Sequence, residues 1–210
     1  MMFDYIRDPA EIYKRSFETV RAETDVSGLS ADEAAVAVRL VHACGMPDIV
    51  GDLVFSGGAV EAGRAALDEG AAVLTDVEMV RHGIIRARLP ADNPVLCTLH
   101  DDGVKERAAE QSTTRSAAAV DLWREGLAGS VVAIGNAPTA LFRLLEIIGE
   151  GAAPPAMIAA FPVGFVGAAE SKQALIDFAA DKAIPFVTLK GRLGGSALAA
   201  ACINALGESG

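Results

Sequence analysis

Five short apolar runs set what this chain can fold into. They are "AAVLTD" at 71–76, "PVLCTL" at 94–99, "SVVAIG" at 130–135, "AMIAAFP" at 156–162 and "IPFVTLK" at 184–190. Several are apolar at consecutive positions instead of alternating, which is how a strand reads when both of its faces are covered. Around them lie segments with helical character: "AVEAGRAALDEG", "KERAAEQSTTRSAAAVDLWREGL", "PTALFRLLEIIGE", "AAESKQALIDFAAD" and "GSALAAACINALGE". The alternation predicts one α/β domain over 1–210, a mostly parallel sheet flanked by helices on both faces, with a helical segment at its N-terminal end.

That N-terminal segment carries explicit punctuation. Asp8 precedes Pro9, an N-cap followed by the proline that suits a first helical position. Ser30 and Glu33 form a capping-box pattern, and Gly45 supplies a stop. Hydrophobic residues make up 51% of the chain but aromatics only 5%, so the core must be aliphatic.

The formal net charge of −10 argues against general nucleic-acid binding, which rests on neutralising phosphates, and against anionic membrane surfaces. The cysteines, Cys44, Cys97 and Cys202, are odd in number and form no C-x-x-C pair. They predict reduced, mostly buried thiols in a cytoplasmic protein. The first residues are charged throughout and lack the apolar stretch of a signal peptide. No apolar run approaches the ~18 residues of a membrane span.

Three strand ends run into glycine-rich turns: "AIGNAPTALF" (133–142), "FPVGFVGAAESK" (161–172) and "LKGRLGGSALAA" (189–200). In a parallel sheet such turns gather at the carboxyl end of the strands, where backbone N–H groups and helix dipoles favour anions. Tight packing accounts for glycine there equally well. Neither a Walker A loop nor a G-x-G-x-x-G fingerprint is present, which weakens a nucleotide-binding reading.

Several basic residues stand apart from the surface pattern. Arg39, Arg86, Arg88, Arg115, Lys190 and Arg192 lie in or beside apolar or glycine-rich segments. On a strand, Arg86 and Arg88 would share a face. A ligand with several carboxylates would explain such arginines in an acidic protein, and surface pairing with acidic side chains is the commoner alternative.

Of the three histidines, His42 has the most unusual context. It follows Arg39 by three residues on the last turns of an apolar helix, so both project from one face. By spacing alone it reads as structural or as an acid–base residue poised beside a bound anion. Asp76, Glu78 and His82 have no recognised metal-ligand spacing, and a solvated helix start is the simpler reading. No nucleophile motif is found.

The motifs "DYIRDPAEIYKRSF", "VRLVHACGMPD", "TDVEMVRHGI", "STTRSAAA", "VAIGNAPTALF", "PVGFVGAAESK" and "GRLGGSALAAA" together resemble the precorrin-8X methylmutase family of cobalamin biosynthesis, from about residue 4 to about residue 206. The resemblance implies an isomerase that moves a methyl group from C-11 to C-12 of a tetrapyrrole, giving hydrogenobyrinic acid. It implies His42 as proton donor/acceptor, with Ser16 and Arg39 as substrate contacts, and a homodimer. Asp76, Met79 and Asn136 within these motifs, with Arg86, Arg115, Lys190 and Arg192, complete the expected substrate-binding set. An intramolecular methyl shift demands no metal or organic cofactor. The neighbouring readings are a cobalt-precorrin-8 methylmutase, a tetrapyrrole carrier without chemistry, and a nucleotide-dependent oxidoreductase.

Overall fold

The computed structural model describes residues 3–208. Helices α1 (Pro9–Glu23) and α2 (Ala31–Cys44) open the chain, and their ends obey the sequence signals. The Asp8 side chain accepts from the Ala10 and Glu11 N–H groups. Ser30 and Glu33 make a reciprocal capping box, and Gly45 closes α2 in the left-handed conformation at φ 70°.

Among the described residues six strands follow: β1 (Leu53–Phe55), β2 (Val73–Thr75), β3 (Val95–Cys97), β4 (Val131–Ile134), β5 (Met157–Ala160) and β6 (Phe186–Leu189). They form one sheet in the order β1-β6-β5-β4-β2-β3, parallel except for the antiparallel pair β1–β6. The five expected strands are all present within the runs quoted above. None of those runs marks the edge strand β1, which spans three residues between a 3₁₀ turn at Pro47–Asp52 and the Gly57–Gly58 turn.

The remaining helices are α3 (Ala59–Asp68), α4 (Glu78–Gly83), α5 (Val104–Glu110), α6 (Arg115–Val120), α7 (Pro138–Gly149), α8 (Ala168–Lys182) and α9 (Ser196–Leu206). Two local expectations need correction. The stretch read as one helix over 105–127 is broken: Ser112 turns to φ 51°, and Thr114 caps a new helix by accepting from the Ala117 N–H at 3.1 Å. Arg86–Arg88 is a 3₁₀ turn, not a strand, because the Arg88 N–H closes back on the Ile85 carbonyl at 2.9 Å. The two arginines therefore reach different partners.

The consecutive apolar residues of each strand sort into two cores. Val73, Val131, Ala133, Met157 and Ala159 face α2, α3 and α9. Leu74, Val132, Ile134, Ile158 and Ala160 face α7 and α8. Successive side chains point to opposite faces, so unbroken apolar runs are what a doubly covered sheet requires. Each fully buried large aliphatic side chain is worth about 1.5–3 kcal/mol, enough to fix the register of strands only three or four residues long.

Candidate active site

Tyr13, Ser16 and Phe17 lie three and four residues apart on α1, so they share the face that packs on α2. Opposite them stand Arg39 and His42, on the last turns of α2. The Phe17 ring stacks on the His42 imidazole at 4.5 Å and 23°. Ser16 Oγ lies 3.0 Å from His42 Nδ1. A serine hydroxyl can donate to or accept from that nitrogen, so it fixes the ring's orientation in either tautomer and leaves Nε2 for other chemistry.

Arg39 is nearly buried at 9% exposure. Its guanidinium lies 4.8 Å from the Phe17 ring centroid and donates to the Tyr13 hydroxyl at 3.0 Å. It also pairs with the Glu208 carboxylate, whose other oxygen takes Arg88 Nε at 3.1 Å. Arg39, His42, Arg88, Tyr13, Ala200 and Asn204 line a cavity of about 350 Å³. Asn204 secures its wall, accepting from the Ile85 N–H at 2.8 Å and donating to the Gly83 carbonyl at 3.0 Å. The chemistry on offer is acid–base at His42, with cationic recognition from Arg39 and Arg88 beside it.

The carboxyl end of the sheet is built differently. The chain leaves β2 for the edge strand β3 and then returns to β4 on the other side of β2, so β2 and β4 flank the topological switch point. Open α/β sheets bind ligands in such a crevice. Here Asp76 fills it. Its carboxylate accepts from the Gly135 N–H at 2.9 Å, the Asn136 N–H at 3.0 Å and the Ala137 N–H at 2.8 Å, and the residue is 2% exposed. Burial pushes its carboxyl above the ordinary carboxylate range, against the pull of those donors. The anion that this turn invites belongs to the chain itself. Close packing requires glycine at two positions of these turns: a Cβ on Gly135 would stand 2.7 Å from the Ser196 Cα, and one on Gly194 would stand 2.4 Å from the Phe161 carbonyl oxygen.

Lys172 on α8 is fully buried, and its ammonium donates to the Leu193 carbonyl at 2.5 Å. Burial draws its pKa down to about 8. It ties α8 to the 190–195 turn.

The structure thus gathers Ser16, Arg39 and His42 and leaves the rest of the expected set elsewhere. Met79 is 73% exposed on α4. Arg86 donates to the Val95 carbonyl at 3.3 Å. Arg115 is exposed at the start of α6. Asn136 engages Asp76 through its backbone only, with its side chain exposed. Lys190 is exposed at the end of β6, and Arg192 lies 5.5 Å from the Phe165 ring. Asp76 has turned inward, away from Glu78 and His82, so those three form no cluster. Of the cysteines, only Cys202 is buried; Cys44 and Cys97 are partly exposed, short of the expected burial.

Sequence reasoning missed Tyr13, Asn204 and Glu208 and did not put Arg88 in the site. Tyr13 had a signal, being three residues before Ser16 on the same helical face. Glu208 had none.

The precorrin-8X methylmutase family model matches residues 11–209. A precorrin-8X methylmutase of Pseudomonas aeruginosa is 58% identical over 206 residues, covering 98% of each chain. A cobalt-precorrin-8 methylmutase of Methanothermobacter thermautotrophicus is 37% identical over 198 residues, covering 93% of this chain and 91% of its own. The solved structure of a precorrin-8X methylmutase from Thermus thermophilus superposes with a TM-score of 0.84 at 37% identity, covering 93% of this chain and 95% of that one. These matches define the class of the protein, an isomerase of the methylmutase kind. The chain belongs to the precorrin-8X methylmutase family of cobalamin biosynthesis.

Proposed function

We propose that the chain moves a methyl group from C-11 to C-12 of precorrin-8X, giving hydrogenobyrinic acid, with His42 as the proton donor/acceptor beside ring C. The observation that carries this reading is the Ser16–His42 contact on the rim of a cavity lined by Arg39 and Arg88. The reaction is intramolecular. The carbon–carbon bond at C-11 breaks as the bond at C-12 forms, the π electrons of the ring reorganise, and nothing is oxidised or reduced. The protein must then orient the macrocycle and supply a hydrogen bond or proton at the migrating edge. His42, steered by Ser16 and Phe17, meets that need, and the arginines suit peripheral carboxylates.

The test is turnover of precorrin-8X, followed by the visible spectrum. His42→Ala is expected to lose about 10²–10⁴-fold in rate while still binding hydrogenobyrinic acid. Full activity in that variant removes His42 from the chemistry. Binding without turnover by the wild type makes the chain a carrier.

The metal-free substrate is favoured over the cobalt form because the precorrin-8X relative is 58% identical and the cobalt-precorrin-8 relative 37%. Offering both substrates decides between them. We also assign a homodimer working in the cytoplasm. Phe165 and Val166, 87% and 88% exposed, offer an apolar patch that a second copy would cover. A monomer mass in sedimentation overturns the dimer. No helix among the described residues is long and apolar enough to cross a membrane.

A further inference from the structure

Glu208 lies between two guanidinium groups. Its two oxygens take one guanidinium each, Oε2 with Arg39 and Oε1 with Arg88. Two guanidinium groups converging on one carboxylate is a receptor geometry for that group, charge-assisted on both sides. Both arginines line the His42 cavity. Glu208 lines a second cavity of about 670 Å³ between α1, α2 and α9, and Tyr13 and Arg39 line both. The Arg39–Glu208 pair therefore sits on the boundary between two neighbouring spaces.

The attachment of Glu208 is slight. Helix α9 ends at Leu206, and Gly207 follows with its N–H on the Ile203 carbonyl. Gly207 passes so close to the Arg88 backbone that a Cβ would stand 2.5 Å from the Arg88 carbonyl oxygen. Beyond it, the hydrogen bonds of Glu208 are made through its side chain, which is 36% exposed. The Arg39 side chain is buried and needs an anionic partner, but one carboxylate can replace another there without leaving the guanidinium unpaired. One carboxylate between two guanidinium groups leaves a local charge of +1, a preformed positive spot in a chain whose net charge of −10 otherwise repels a polyanion.

We propose that Glu208 is an internal stand-in for a substrate carboxylate, and that Arg39 and Arg88 form a two-armed clamp from which the substrate displaces it. Displacement opens the boundary between the two cavities, giving a flat ring with acidic side chains more room than either space offers alone. Arg88 is thereby a substrate-binding residue. The proposal rests on the tetrapyrrole reading above.

Titration of the full-length protein with hydrogenobyrinic acid tests it, with folding of each variant checked by thermal melt. Removing the competing carboxylate in Glu208→Gln is expected to tighten binding about fivefold, the equivalent of ~1 kcal/mol. Glu208→Ala, which leaves no amide to bond Arg88, is expected to give the same gain. Arg88→Gln is expected to weaken binding about tenfold or more, as truncating one side of a charge pair does. Unchanged or weaker binding in both Glu208 variants overturns the stand-in. Unchanged binding in Arg88→Gln overturns the clamp. A wild type that neither binds nor converts the tetrapyrrole overturns the functional reading, and the proposal falls with it.

Discussion

Asp76 and Glu208 each hold a carboxylate against donors suited to an anionic ligand, but on opposite terms. Asp76 is 2% exposed and takes three backbone N–H groups at the switch point of the sheet. The Glu208 side chain is 36% exposed and bridges two arginine side chains at the end of the last helix. The first contact is part of the fold, because withdrawing it strands buried donors. The second can be exchanged, because another carboxylate serves both of its partners. An anion receptor seen in a sequence becomes a ligand site only where its internal occupant can leave.

The largest effect should come from the sealed side. In Asp76→Asn, an NH₂ group replaces one oxygen and faces N–H donors that need an acceptor. Each buried donor left unsatisfied costs about 1–3 kcal/mol, so a loss of about 2–4 kcal/mol is expected from urea unfolding. A variant as stable as the wild type breaks the comparison, because Asp76 would then be as dispensable as Glu208.

The same side holds a buried cation, and it should give the next effect. Lys172 has its pKa drawn down to about 8 by burial. The unfolded chain then binds more protons than the folded one between about pH 8 and the ordinary lysine range near 10.4. Stability must therefore rise with pH across that window, and the cost of the buried ammonium is fully present below it. Lys172→Met removes that cost along with the bond to the Leu193 carbonyl. A gain of about 1–3 kcal/mol is expected at neutral pH, shrinking as the pH approaches ~10. A variant less stable at neutral pH, with no narrowing at high pH, means that the bond to the 190–195 turn outweighs desolvation.

These contrasts also explain what the sequence revealed. The five central strands were legible because burial on two faces leaves unbroken apolar runs, as at Val131–Ile134 and Met157–Ala160. Strand β1 was not, since three residues on an edge carry too little pattern. The helix break at 112–114 was obscured by alanines on both sides that would have continued the helix. In the site, the three-residue spacing of Arg39 and His42 put both on one helical face, and Ser16 came from the resemblance. The glycine-rich turn 133–142 did mark an anion receptor, but its occupant, Asp76, lies 59 residues from Gly135. Glu208 lies 169 residues from Arg39. Such pairs are set by how the helices pack and leave no mark in local spacing.

The smallest effect separates positioning from chemistry on the open side. Ser16 touches His42 through a single contact at 3.0 Å, and Phe17 stacking survives its loss. Ser16→Ala should leave stability within about 1 kcal/mol, since one partly exposed hydrogen bond is removed. Turnover should fall about three- to tenfold, the scale of one modest hydrogen bond, through kcat and not through binding of hydrogenobyrinic acid. Ser16→Thr, which restores the hydroxyl, should recover most of the rate. A fall as deep as that of His42→Ala makes the hydroxyl a carrier of the proton. No fall at all leaves Phe17 as the group that aims the ring. Either result relocates the working part of the open site, whereas the internal carboxylate of the sealed one would be untouched.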